Sequence, residues 1–133
     1  KNHFIKNDNK KFYSKLELVS KINVNYDSIE RILIPINIPY IRMNTGLPIF
    51  IDWKHHAFKY DEIIMWKKRI DLAQKFYQTS IFEKQKEILI NINKIDYISH
   101  ILIEKKQLKP KCLNLIDHKI FALINANTCY ELD

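Results

Sequence analysis

Asp52, Lys54, His55 and His56 place a carboxylate, an ammonium and two imidazoles within one short polar stretch. It lies between an apolar run over 48–53 and a helical pattern that starts near 60. A loop at the carboxyl end of a strand is where an open α/β sheet contacts its ligands, so this stretch could hold an anion, a sugar or a metal. Adjacent histidines cannot easily turn onto one ion, and neither a His-x-x-x-His nor a Cys-x-x-Cys pattern is present; no metal and no cofactor are expected. Arg42 and Arg69 are the other candidates. With Arg31 they are the only arginines in a chain that otherwise uses lysine, and the planar guanidinium suits carboxylates and phosphates. Arg42 falls just beyond one expected strand and Asp52 at the tip of the next. The two are expected to bond directly or through one group, as a clasp first and an anion pocket second. The ligand-binding candidates are therefore Arg42, Asp52, Lys54, His55 and Arg69. No catalytic residue is nominated. Ser99 and His100 are neighbours on an expected strand and should face opposite ways, which argues against a nucleophile and base pair. No two carboxylates stand out for glycoside chemistry.

The elements that hold these residues follow from periodicity. Residues 11–23 carry Phe12, Leu16 and Val19 on one helical face. Residues 31–36 form an apolar, β-branched run that predicts a strand covered on both sides and ending near Pro35. A one- or two-turn helix carrying Arg42 is expected between Pro39 and Gly46. Strand 48–53 leads to the main helix, whose large apolar residues Ile63, Trp66, Ile70, Ala73 and Tyr77 recur at helical spacing, with Trp66 as its anchor on the sheet. Ser80 and Glu83 have the spacing of a capping box for a further helix. A third strand is expected over 95–103, a solvated basic loop over 105–111, and a terminal hairpin over 119–132 that turns at Asn125, Ala126 and Asn127. The resulting fold class is α/β: a small three-layer Rossmann-like sandwich, mostly parallel, closed by a C-terminal antiparallel β-hairpin. Residues 1–10 read as a flexible lead-in and 11–133 as a single α/β domain.

Composition narrows the function classes. One glycine, Gly46, excludes both the dinucleotide fingerprint and the P-loop, which need several for close backbone approach. The net charge of +7 invites a nucleic-acid reading, yet the charge is nearly all lysine, and abundant Ile, Lys and Asn together match AT-rich codon usage. No apolar run reaches the roughly 18 residues a membrane span requires, so the fragment itself reads as soluble. The chain starts at Lys1 without Met, which reads as a piece of a longer polypeptide. Cys112 and Cys129 could pair in an oxidising compartment, but two thiols at this spacing are more often free.

Ile32, Leu33, Ile34 and Pro35, then Ile41 and Arg42, then the run from Pro48 through Asp52, Trp53 and Lys54, then Trp66 with Arg69, and finally Asp96 and Tyr97, make a pattern. It resembles the soluble carboxyl-terminal domain of bacterial multi-pass membrane proteins whose hydrophobic part is similar to integral-membrane glycosyltransferases with lipid-linked donors. The pattern departs at Ile41, where Phe is usual, at Leu47, where a second Arg is usual, and at Met65, where Glu is usual. The resemblance implies a non-catalytic accessory domain on the extracytoplasmic face of a bacterial membrane. Its partners would be the transmembrane portion of the same polypeptide and a lipid-linked or sugar substrate. The alternatives are a small soluble α/β enzyme or ligand-binding domain with its site at the strand carboxyl ends, or a basic nucleic-acid-binding module.

Overall fold

The computed structural model describes residues 17–36, 47–51 and 60–132. Four helices occur among them: α1 over residues 17–24, α2 Tyr60–Gln78, α3 Phe82–Ile95 and α4 Ala126–Tyr130. They surround a three-stranded mixed sheet of β1 Ile32–Leu33, β2 His100–Glu104 and β3 Phe121–Asn125, in the order β1-β2-β3. β1 is parallel to β2, with Ile32 opposite His100, and β2 is antiparallel to β3. On the far side of β1, residues 47–51 contribute one parallel bridge, Ile32 to Ile49.

This architecture overturns the expected mostly parallel Rossmann-like sandwich with a C-terminal hairpin. The strand expected over 31–36 pairs with β2 only at Ile32 and Leu33, because the Tyr77 hydroxyl occupies the Leu33 carbonyl and Pro35 has no N–H to offer. The strand expected from Ile95 begins at His100, since α3 runs on to Ile95. The expected hairpin is a strand followed by a helix. Asn125 accepts the Thr128 N–H at 3.0 Å as an N-cap, and Ala126, Cys129 and Tyr130 are buried at helical spacing. Glu131 then adopts the left-handed conformation, φ 54°, that ends the helix.

Alternation along the strands divides the interior into two apolar clusters. Leu33, Ile101, Ile103, Ala122 and Ile124 pack with α2, α3 and α4, while Ile32, Ile34, Leu102 and Leu123 pack with Leu18, Val19 and Ile22 of α1. On α2 the buried residues are Ala73 and Phe76, not Trp66. Trp66 is half-buried and packs at the margin of the first cluster. Phe76 takes the anchoring role, edge-on to both Tyr77 and Tyr130. The capping box does not form either. α3 is preceded by Ile81, and Thr79 Oγ1 accepts the Ile81 N–H at 3.3 Å, so a Thr-led turn positions the chain.

Cys112 and Cys129 form a disulfide, which corrects the expectation of free thiols. Their 17-residue separation hid the pairing. The fold brings their Cα atoms to 4.8 Å by packing α4 against the segment after η-turn Lys105–Gln107, within the usual range for a bridge. That segment also lines the outer side of β3. Leu115 donates to the Leu123 carbonyl at 2.8 Å, Asn114 Oδ1 accepts the Leu123 N–H at 3.1 Å, and His118 Nδ1 accepts from Ile120 and Phe121.

Candidate functional site

Of the five ligand-binding candidates, Arg69 is the one among the described residues; Arg42, Asp52, Lys54 and His55 lie outside them, as does the expected Arg42–Asp52 bond. Arg69 projects from the middle of α2 toward the amino ends of the parallel strands. Its Nη2 lies 2.6 Å from Asp96 Oδ2, and its Nη1 donates to the Phe50 carbonyl at 2.9 Å. The guanidinium sits over the Phe50 ring, 4.9 Å from the centroid. Arg31, just before β1, reaches the other carboxylate oxygen of Asp96 at 3.5 Å. Asp96 and Arg69 together thus join α2, β1, the approach to β2 and residues 47–51. Arg69 is first of all a structural cation, paired with Asp96. The signal for Arg31 was available in the scarcity of arginine, but a strand reading of 31–36 gave its side chain no partner.

Ser99 and His100 meet, contrary to the alternation expected of a strand, because Ser99 stands one residue before β2. Ser99 Oγ lies 2.8 Å from His100 Nδ1 and accepts the N–H groups of Glu30 and Arg31 at 2.9 and 3.2 Å. The nearby Arg31 carbonyl already receives the N–H groups of Ser99 and His100. The Ser99 hydroxyl has two acceptors in reach, the Arg31 carbonyl at 3.1 Å and His100 Nδ1 at 2.8 Å. Burial lowers the His100 pKa, which favours the neutral imidazole. The pair has the connectivity of an activated nucleophile, but the residues are only 5% and 3% exposed, so no substrate reaches the hydroxyl. It is a latch that aligns β1 with β2.

At the opposite ends of the strands, Tyr77 plays the corresponding part. Its hydroxyl lies 2.7 Å from the Leu102 carbonyl and 3.1 Å from that of Leu33, bridging β1 and β2 where they stop pairing. Burial, with a smaller contribution from Tyr130, raises its pKa well above the ordinary phenol value. Beside it opens a pocket of about 410 Å³ lined by Pro35, Ile36, Gln74, Tyr77, Gln78, Glu104 and Gln107. The carboxyl ends of parallel strands are the expected place for a ligand, and amides dominate the polar lining. The sequence reading placed its site at strand carboxyl ends but did not foresee these glutamines, which lie on a helix and a loop without any motif.

Among the described residues no group of three or more His, Cys, Asp or Glu could hold a metal ion, and no helix is long and apolar enough to cross a membrane. No protein-family model, curated protein or solved structure matches the chain.

Proposed function

We propose that this chain is a non-catalytic accessory domain of a membrane-bound, glycosyltransferase-like protein, working on the extracytoplasmic side. The observation behind the reading is the Cys112–Cys129 bridge, because disulfides persist in oxidising compartments and are rare in reducing ones. The polar clusters support the non-catalytic part. Arg31 and Arg69 share the one carboxylate of Asp96, and Ser99 and His100 bond to each other and are closed to solvent. The transmembrane portion of the same polypeptide would be the partner. The reading is tested by acid-quenching cells that produce the full-length protein, alkylating free thiols and mapping the peptides. Peptides carrying Cys112 and Cys129 should be recovered joined. Recovery of both as alkylated free thiols would overturn the extracytoplasmic assignment.

A second reading, a ligand-binding α/β domain, is favoured by the pocket at the carboxyl ends of β1 and β2. Its amide-rich lining fits a neutral, hydroxyl-bearing ligand better than a phosphate. Titration with sugars and sugar nucleotides, followed through the Gln74, Gln78 and Gln107 side-chain amide resonances, separates the two. Saturable shifts confined to those amides favour the ligand-binding domain.

A further inference from the structure

α2 and α3 pack as an antiparallel helical hairpin and leave a groove of about 550 Å³ lined by Met65, Lys68, Arg69, Leu72, Asn91, Lys94 and Ile95. The lining follows helical spacing on both walls: 65, 68, 69 and 72 on α2, and 91, 94 and 95 on α3. Its floor is apolar and its rim is cationic. Arg69 is committed to Asp96, whereas Lys68 and Lys94, one from each wall, form no ion pair among the described residues. Among the described residues no carboxylate lines the groove. Asp96, which follows Ile95, is held by Arg31 and Arg69, and Asp61 and Glu62 lie in the first turn of α2, outside the lining. The apolar surface also continues past the groove. Ile64 and Ile90, each one turn before a rim lysine, are 49% and 42% exposed, and Met65 is 43% exposed. A strip that extends along both helices beyond the cavity is larger than a small ligand needs, and matches a third helix laid between two.

We propose that the α2/α3 groove is a docking site for an acidic amphipathic helix of a partner protein. Its apolar stripe would rest on Met65, Leu72 and Ile95, with Ile64 and Ile90 at the margins. Carboxylates on both sides of that stripe would meet Lys68 and Lys94. The argument is independent of where in the cell the domain works and of whether the pocket at the strand ends binds a ligand.

The experiment begins with a photo-crosslinking amino acid at Leu72 or Asn91 in the full-length protein in cells, with Lys67 as an exposed control on the face of α2 turned away from the groove lining. The crosslinked segment is mapped by mass spectrometry, and a synthetic peptide of that segment is titrated against the 133-residue chain. The expected segment is a helix with an apolar stripe flanked by Asp or Glu, captured at Leu72 and Asn91 but not at Lys67. Binding should weaken at least about tenfold in the Lys68→Glu, Lys94→Glu variant, as expected when charge-assisted contacts become repulsions. Exchanging the peptide's acids for lysines should restore affinity for that variant. A Lys67→Ala, Lys119→Ala control should bind as the parent does, and matched melting curves show that each variant folds. Absence of a groove-specific crosslink, a crosslink to lipid, a mapped segment without the acidic stripe, or a charge-reversed variant that binds within twofold of the parent would each overturn the proposal.

Discussion

Arg69 and Asp96 are held 2.6 Å apart, and the same guanidinium also donates to the Phe50 carbonyl, so one side chain fixes the helix, the loop before β2 and the segment flanking β1. The pair is partly shielded, with the side chains 22% and 30% exposed. Arg69→Ala should cost about 2 kcal/mol in urea melts, between the values for a surface pair and a buried one. Arg69→Lys should recover less than half of that, since an ammonium cannot serve carboxylate and carbonyl with one fork. A double-mutant cycle with Asp96→Ala that gave no coupling would show that the carbonyl bond alone matters.

Phe76, fully buried, should matter more than Trp66 on the same helix. Phe76→Ala is expected to cost about 3 to 5 kcal/mol and Trp66→Ala clearly less. Equal losses in denaturant titrations would mean that α2 is rotated from the orientation described.

The pH dependence has opposite signs at its two ends. Below pH 6.5 the unfolded chain protonates its imidazole before folded His100 does, so stability falls as the pH drops through that region. Above pH 10.0 the unfolded chain loses its phenolic proton before Tyr77 does, so stability falls again as the pH rises. Substitution of His100→Asn, which keeps an acceptor near the Nδ1 position, should flatten the acid limb. Tyr77→Phe should flatten the alkaline limb in part and cost about 1 to 3 kcal/mol at neutral pH, because two carbonyls lose their donor. Tyr130, pushed up to about 12 by burial, accounts for part of what remains at high pH. Chemical denaturation repeated across the pH range measures both limbs.

Removing the disulfide with a double Cys112→Ser, Cys129→Ser substitution should cost about 3 kcal/mol, the chain-entropy value for a loop of this order. The loss should appear as a lower melting temperature of the substituted protein and of the reduced parent alike. A reduced parent that melts like the oxidised one would show that α4 docks without the bridge.

The sequence made α2 legible because its apolar spacing is long and its start is marked by Asp61 and Glu62. Which of its residues would be innermost was not legible. Phe76 and Tyr77 are adjacent, and a rotation of one position decides between them. The C-terminal error has a specific cause: Asn125 fits a turn and a helix cap equally well in sequence, and only the burial of Ala126, Cys129 and Tyr130 distinguishes them. At the candidate site, the rarity of arginine singled out Arg69 but could not name Asp96, which lies 27 residues away and meets it only through the α2–α3 hairpin. The glutamine-lined pocket has no sequence signature, because amides at scattered positions read as ordinary surface.

The covering of β3 by residues 114–121 bears on how this molecule can associate. An outermost strand with unsatisfied amides is a template on which a foreign strand can grow, whether a partner's or a misfolded copy's. Here the outward N–H and carbonyl of Leu123 are taken by Asn114 and Leu115, and the N–H groups of Ile120 and Phe121 by His118. Strand addition is blocked at those positions of the edge. Loss of the Asn114 side chain would free the Leu123 N–H and reopen that position of the ladder to a foreign strand.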